Sequence, residues 1–110
     1  MKLKDIMVTD VVSIESEATV KEAANKMALD EIGSLVVTEK GTPAGIVTER
    51  DLLSRVLATG KNAEATLVRR IMSKPLICGD PEMDVTEAAR FMCNRGIKKL
   101  PVTKKGHLVG

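Results

Sequence analysis

One short segment, residues 45–51 (Gly-Ile-Val-Thr-Glu-Arg-Asp), carries polar side chains at a spacing that could bind a ligand. Thr48 and Asp51 lie at the predicted start of a helix, where free N–H groups and the helix dipole favour a phosphate. A carboxylate in the same turn can accept hydrogen bonds from two neighbouring hydroxyl groups. The Thr-x-x-Asp spacing is also that of a capping box, which only stabilises a helix start. Both interpretations stay open at this point.

The residue types that usually carry catalysis do not form a set in this sequence. His107 is the single histidine and follows a turn signal, so no nucleophile, base and orienting group can be assembled around it. Cys78 and Cys93 lack the spacing of a metal site and have no accompanying Cys or His pair. We therefore predict a protein that is not an enzyme, with no metal site and no cofactor.

The sequence repeats itself with a shift of 65 residues, which lays residues 6–45 over residues 71–110 without a gap. Ile6 then meets Ile71, and Met27 meets Met92. Such self-similarity indicates two copies of one supersecondary unit that share a hydrophobic seam. We predict a first repeat over residues 1–60 and a second over residues 61–110. The second copy stops at the glycine equivalent to Gly45, so we expect it to lack the last strand and helix.

Hydrophobic spacing predicts the elements of each repeat. Thr19 and Glu22 have capping-box spacing and open a helix that runs from Val20 to about Asp30. Further elements of the first repeat are strands over 11–14, 34–38 and 44–47 and a helix over 49–57. The second repeat has a short helix over 66–72, strands over 76–78 and 99–103, and a helix capped by Asp84 and Glu87. The order β-α-β-β-α predicts an α/β class (an α+β sandwich), with the repeats packed as a pseudo-two-fold pair.

Composition and charge restrict the functions that fit. The chain is 44% hydrophobic with Phe91 as its one aromatic residue, so the core must be aliphatic. Residues 61–110 carry ten basic and five acidic side chains, an excess that suits a small anion better than a nucleic-acid backbone. The N-terminus has no apolar signal region and no apolar run approaches the length of a membrane span. We expect a cytoplasmic protein that does not enter a membrane.

Taken together, these features resemble the cystathionine β-synthase (CBS) domain family, specifically a tandem CBS pair or Bateman module. The family's marks here are the Ile-Met openings at 6–7 and 71–72, the Val-x-Glu-Ala-Ala helix, and the Ile-Lys-Lys-Leu-Pro-Val strand at 97–102. Residues 45–51 are similar to the family's Gly-apolar-apolar-Thr/Ser-x-x-Asp nucleotide motif. The resemblance implies a non-catalytic regulatory module. It would sense AMP, ADP, ATP or S-adenosylmethionine in a cleft between the repeats.

The resemblance also implies roles for individual residues. Asp51 would hold the ribose hydroxyls and Thr48 would contact a phosphate. Lys98 and Lys99 would face the phosphates. The segment that would frame the adenine consists of Lys74, Pro75, Leu76 and Ile77.

Partners follow from the same resemblance. Family members usually assemble through helix faces, so we expect a homodimer. An adenosine nucleotide is the expected ligand, and a regulated enzyme or a further C-terminal domain is the expected target. Two other functions stay open, namely a structural dimerisation module without a ligand and a nucleic-acid-associated regulator that uses the basic second half.

Overall fold

The computed structural model describes residues 1–110 and contains two compact units. The larger unit is Val12–Leu76, and the smaller one combines Met1–Val11 with Ile77–Gly110. The predicted mixture of small sheets and helices is confirmed. No helix is both long and apolar enough to cross a bilayer.

The elements are short and follow one another closely along the chain. The α-helices are α1 (Leu3–Ile6), α2 (Val20–Asp30), α3 (Glu49–Asp51) and α4 (Val85–Arg95); α3 continues as a π-helix over Leu52–Leu57, and a 3-10 helix spans Val68–Arg70. The strands are β1 (Ser13–Glu15), β2 (Ser34–Glu39), β3 (Thr42–Thr48), β4 (Thr103–Lys104) and β5 (His107–Leu108).

The larger unit contains a three-stranded sheet in the order β1-β2-β3. Strand β1 pairs with β2 in parallel, and β2 pairs with β3 in antiparallel fashion. The turn between β2 and β3 places Lys40 at φ 52° and Gly41 at φ 82°. Positive φ at both central residues gives a two-residue hairpin turn whose twist matches that of the strands. Strand β3 therefore begins at Thr42, two residues before its predicted start.

Helix α2 inserts its apolar face into the core of the larger unit. The Thr19 side chain caps it and accepts a hydrogen bond from the Glu22 N–H at 3.1 Å, as the spacing predicts. Val20, Ala23 and Met27 are buried at the predicted helical spacing. They belong to a core that also contains Leu35, Val37, Val47, Val56, Val68, Ile71 and Met72. The predicted helix to Asp30 is confirmed.

The other two helical predictions in the larger unit are only partly correct. A helix is present over residues 49–57, but residues 52–57 are π-helical, and the Ala58 N–H donates to the Leu53 carbonyl at 2.9 Å. The helix predicted over 66–72 is reduced to the 3-10 turn Val68–Arg70. The residue before that turn, Leu67, is extended and forms a β-bridge with Thr19, which keeps a helix from starting earlier.

The smaller unit has a separate and smaller core. Leu3, Ala88 and Val102 are buried there, and the side chains packed against them are Met7, Met83, Val85, Leu100 and Val109. Asp84 caps α4 and accepts a hydrogen bond from the Thr86 N–H at 2.9 Å. That bond holds the pKa of Asp84 below its ordinary value.

Two strands predicted for the second repeat are wrong. Residues 76–78 form no strand, and the strand predicted over 99–103 is reduced to Thr103–Lys104. A single parallel bridge between Gly79 and Val102 is what remains of their pairing.

Proline at position 101 explains much of this loss. The equivalent residue in the first repeat is Val36, whose N–H donates to the Val12 carbonyl at 3.3 Å in the parallel pairing. Pro101 has no N–H, so the corresponding ladder bond cannot form. Its carbonyl still accepts from the Gly79 N–H at 2.8 Å, which preserves the one bridge.

The register of the strands recurs with the same 65-residue shift as the sequence. The pair Ile14–Val37 corresponds to Gly79–Val102. In the hairpins, Thr38–Pro43 corresponds to Thr103–Leu108, and Glu39–Thr42 corresponds to Lys104–His107. Helices α2 and α4 begin and end 65 residues apart. The repeat seen in the sequence is therefore also a repeat of backbone structure.

The opening residues of each repeat pack with the body of the other repeat. Lys2 forms a β-bridge with Asp84 in the smaller unit, and Leu67 forms the equivalent bridge with Thr19 in the larger one. The compact units consequently divide the chain after Val11 and after Leu76. The repeat bounds 1–60 and 61–110 stay a prediction about the sequence and do not coincide with these units.

Candidate functional site

Strand β3 delivers the 45–51 segment to the start of α3 in the larger unit. Gly45 is buried, and a Cβ atom at this position would lie 2.7 Å from the Ser73 carbonyl oxygen. The neighbouring Ile46 exchanges two backbone hydrogen bonds with Ser73, at 3.0 and 2.9 Å. The glycine at position 45 is therefore required by this close approach of two backbone segments.

Thr48 and Asp51 hydrogen bond to each other at the start of α3. The Thr48 N–H and hydroxyl donate to Asp51 Oδ2, at 2.9 and 3.1 Å. The Asp51 N–H in turn donates to Thr48 Oγ1 at 3.2 Å. This is the capping box that the spacing allowed, and the carboxylate in it is buried.

The cap does not use the full hydrogen-bonding capacity of the carboxylate. An ionised Asp side chain offers about four acceptor positions, two on each oxygen. Oδ2 accepts two hydrogen bonds from Thr48, whereas Oδ1 has only an ion pair with Arg55 Nε at 3.5 Å. Oδ1 is thus the oxygen that can accept hydrogen bonds from a ligand. Capping and ligand binding are compatible for Asp51.

Thr48 is more restricted because its hydroxyl group has a single proton. That proton is donated to Asp51 Oδ2, and one hydroxyl lone pair accepts from the Asp51 N–H. A phosphate oxygen is an acceptor, so Thr48 could donate to it only by giving up its side-chain bond to Asp51. The two backbone N–H bonds of the box would remain.

The residues predicted to frame an adenine divide between the two units. Lys74 and Pro75 are exposed and Leu76 is half-buried; all three belong to the larger unit and directly follow Ser73. The Ile46–Ser73 bonds therefore place the start of this segment beside strand β3, which ends at Thr48.

The remaining three predicted site residues belong to the smaller unit. Ile77 is half-buried, and Lys98 and Lys99 are exposed in the stretch between α4 and β4. Their joint role with Thr48 and Asp51 stays a prediction.

Arg55 is a residue that the motif did not single out. Its Nη1 donates to the Ile71 carbonyl at 3.1 Å, while its Nε lies 3.5 Å from Asp51 Oδ1. The signal available in the sequence was the i, i+4 spacing of an acid and a base on one helix.

An open groove of about 460 Å³ lies on the helical side of the larger unit. Its lining residues are Ala24, Met27, Ala28, Glu31, Ile32, Glu49 and Leu52. Nearby along the same helices, Leu29, Leu53 and Leu57 are 85, 60 and 74% exposed. Large apolar side chains exposed to this degree on one unit are typical of a surface that meets a partner.

The chain belongs to the CBS domain family. The family's model matches residues 3–58 and 68–110, which are the two repeats, so the chain is a tandem CBS pair. CBS-domain proteins are regulatory or signal-transduction modules.

The chain is also similar to individual proteins over nearly its whole length. Protein MK0525 of Methanopyrus kandleri is 43% identical over 103 residues, which are 92% of this chain and 53% of that protein. The CBS domain-containing protein YhcV of Bacillus subtilis is 34% identical over 108 residues, 98% of this chain and 76% of YhcV. A hexameric CBS-CP12 protein from bloom-forming cyanobacteria has a TM-score of 0.90 at 33% identity, covering 100% of this chain and 66% of its own. The chain thus spans about half the length of one relative and three quarters of the other.

Proposed function

We propose that this CBS pair is a non-catalytic sensor of an adenosine-containing ligand, with AMP, ADP, ATP and S-adenosylmethionine as the candidates. The bound ligand would bias a regulated enzyme or a domain attached to the chain. The family match supports a regulatory role, and the ligand is our inference from the residues at 45–51.

The observation that carries this proposal is the state of the Asp51 carboxylate. It is buried, its Oδ2 is saturated by Thr48, and its Oδ1 retains free acceptor capacity. A ribose presents two vicinal hydroxyl donors, which match an acceptor of this kind. The positive end of the α3 dipole and the positive charge of Lys74, which directly follows Ser73, would favour a phosphate.

The proposed assembly is a homodimer formed through the helical side of the larger unit. The open groove is lined mainly by apolar side chains, with Glu31 and Glu49 at its polar positions, and the exposed Leu53 and Leu57 follow its lining residue Leu52 along the chain. A second copy offers the same leucines and the same groove, so two copies related by a two-fold axis could bury these apolar side chains against each other. The cyanobacterial relative, whose name describes it as hexameric, shows that a CBS-domain protein with this fold can self-associate.

A thermal-shift screen with the four candidate ligands at millimolar concentration tests the sensor proposal. Since the chain has no Trp or Tyr, an external dye or calorimetry is needed. A ligand present at 100 times its dissociation constant should stabilise the fold by about 2.7 kcal/mol. Failure of all four ligands to raise the melting temperature would contradict the proposal.

A structural dimerisation module is the second candidate function. The exposed leucines and the groove favour it, because an apolar surface can hold two copies together without a bound ligand. A dimer whose melting temperature is unchanged by every adenosine compound would support this alternative over the sensor.

A further inference from the structure

Arg55 forms contacts with both the ligand motif and the segment that follows the inter-repeat connection. Its Nε lies 3.5 Å from Asp51 Oδ1, and its Nη1 donates to the Ile71 carbonyl at 3.1 Å. Ile71 is itself buried and lies two residues before Ser73, which pairs with Ile46. Arg55 therefore links the helix that carries Asp51 to the backbone that leads to Lys74.

The Arg55 guanidinium is fixed by one hydrogen bond and is otherwise partly exposed to solvent. The Ile71 carbonyl fixes Nη1, and the side chain is still 50% exposed. At 3.5 Å the Nε–Oδ1 contact is an ion pair without hydrogen-bond geometry, so it leaves the Oδ1 acceptor positions open. A fixed cation at this distance restricts rotation of the carboxylate while Thr48 holds its other oxygen.

The local backbone supports a specific role for this contact. Arg55 lies in the π-helical segment Leu52–Leu57, and Val56, the residue after it, is buried in the core. Short π-helical segments are rare in proteins, and those that occur often lie at functional sites. The π-helical turn and the buried Val56 together fix where the Arg55 side chain begins.

We propose that Arg55 is a positioning residue for the ligand hydroxyls. It holds Asp51 so that the free acceptor positions of Oδ1 face the ribose, and it sets the preference of the site for ribose over 2′-deoxyribose. This inference rests on the proposed function, since it assigns a role at the same site. Its physical basis is preorganisation, because a carboxylate that is already oriented loses less freedom when a ligand binds.

Calorimetric titration with adenosine and 2′-deoxyadenosine tests the proposal on the full chain. The wild type should prefer adenosine, because the deoxy compound lacks one hydroxyl donor to Asp51. In Arg55→Met, which retains an apolar stem without the charge, adenosine affinity should fall by about tenfold, and 2′-deoxyadenosine affinity by much less. Arg55→Lys should recover part of the preference, because it restores a cation near Oδ1.

Arg50→Met is the matched control, since Arg50 is an exposed arginine on α3 and its loss changes the net charge equally. It should leave the preference for adenosine unchanged. If Arg55→Met lost affinity equally for adenosine and 2′-deoxyadenosine, Arg55 would only support the fold, and the proposal would be overturned. A wild type that binds neither nucleoside nor any of the four larger ligands would instead overturn the proposed function itself.

Discussion

Lys4 Nζ donates a hydrogen bond to Glu82 Oε1 at 2.8 Å and joins residues that are 78 positions apart in the sequence. The equivalent pair in the larger unit is Arg69 and Glu17, whose Nε and Oε1 atoms are 3.1 Å apart. Lys4 and Arg69 are related by the 65-residue shift, and so are the two glutamates. The same ion pair therefore fastens the opening segment of each repeat to the body of the other.

We expect Glu82 to make the smaller unit less stable in acid. Hydrogen bonds from Lys2 and Lys4 lower the pKa of Glu82 from 4.5 to about 2. Because the folded pKa is depressed, the contribution to stability is complete above about pH 4.5 and is lost as the pH falls toward 2. Chemical denaturation at several pH values should show this loss, and Glu82→Gln should be less stable at pH 7 with a flatter profile below pH 5. Glu64→Gln, a change at an exposed glutamate in the larger unit, should keep the wild-type profile.

Gly45→Ala should destabilise the larger unit by about 1–3 kcal/mol, because the new Cβ meets a backbone carbonyl that cannot move freely. The clash distance is 2.7 Å to the Ser73 oxygen. Gly33→Ala is the control, since its Cβ would meet only the flexible end of Glu49 at 3.0 Å. Denaturant unfolding measures both variants, and equal stabilities would contradict the close approach of β3 and Ser73.

Thr48→Ala and Thr19→Ala should separate capping from ligand binding. Both threonines cap a helix through the same hydroxyl contact, so each loss should cost about 0.5–2 kcal/mol of stability. Only Thr48→Ala should also weaken ligand binding, because its hydroxyl orients Asp51 Oδ2. In Asp51→Ala, the loss in the free energy of ligand binding should be larger than the loss in the free energy of unfolding. If Thr19→Ala reduced ligand affinity as much as Thr48→Ala did, the loss of affinity would come from reduced stability of the fold alone.

Replacing both Lys98 and Lys99 by glutamine should weaken ATP and AMP binding and leave adenosine nearly unchanged. Charge-assisted hydrogen bonds to phosphate are lost, whereas contacts to the nucleoside remain. The control is the pair Lys104 and Lys105, also exposed and adjacent, replaced in the same way. Calorimetry with ATP, AMP and adenosine measures these affinities. An equal loss of affinity for adenosine would show that the two lysines act by supporting the fold.

The chain should behave as a dimer in light scattering at micromolar concentration. The double variant Leu53→Glu with Leu57→Glu should give the mass of one chain, because charged side chains would be placed in the proposed apolar interface. Its circular dichroism should match the wild type, as both leucines are exposed. Val8→Glu, at an exposed apolar residue of the smaller unit, should remain dimeric. A wild-type mass of one chain would refute the homodimer.

Sequence reasoning succeeded for the elements that local interactions determine. The caps Thr19 and Asp84 and the helices that follow them depend on residues within a few positions of one another. Such interactions leave a spacing that can be recognised in the sequence, which is why both ends of α2 and the start of α4 were predicted correctly. The spacing of Thr48 and Asp51 allowed a capping box for the same reason, and the structure contains it.

The tertiary structure alone decided the contacts between distant residues. Nothing in the local pattern around Lys2 or Leu67 indicates that these residues bridge to Asp84 and Thr19. Arg55 could be paired with Asp51 from its spacing, but its bond to the Ile71 carbonyl depends on how the 3-10 turn packs in the core. The free acceptor capacity of Asp51 Oδ1 likewise follows from three-dimensional geometry, because it depends on which donors the fold brings to each oxygen.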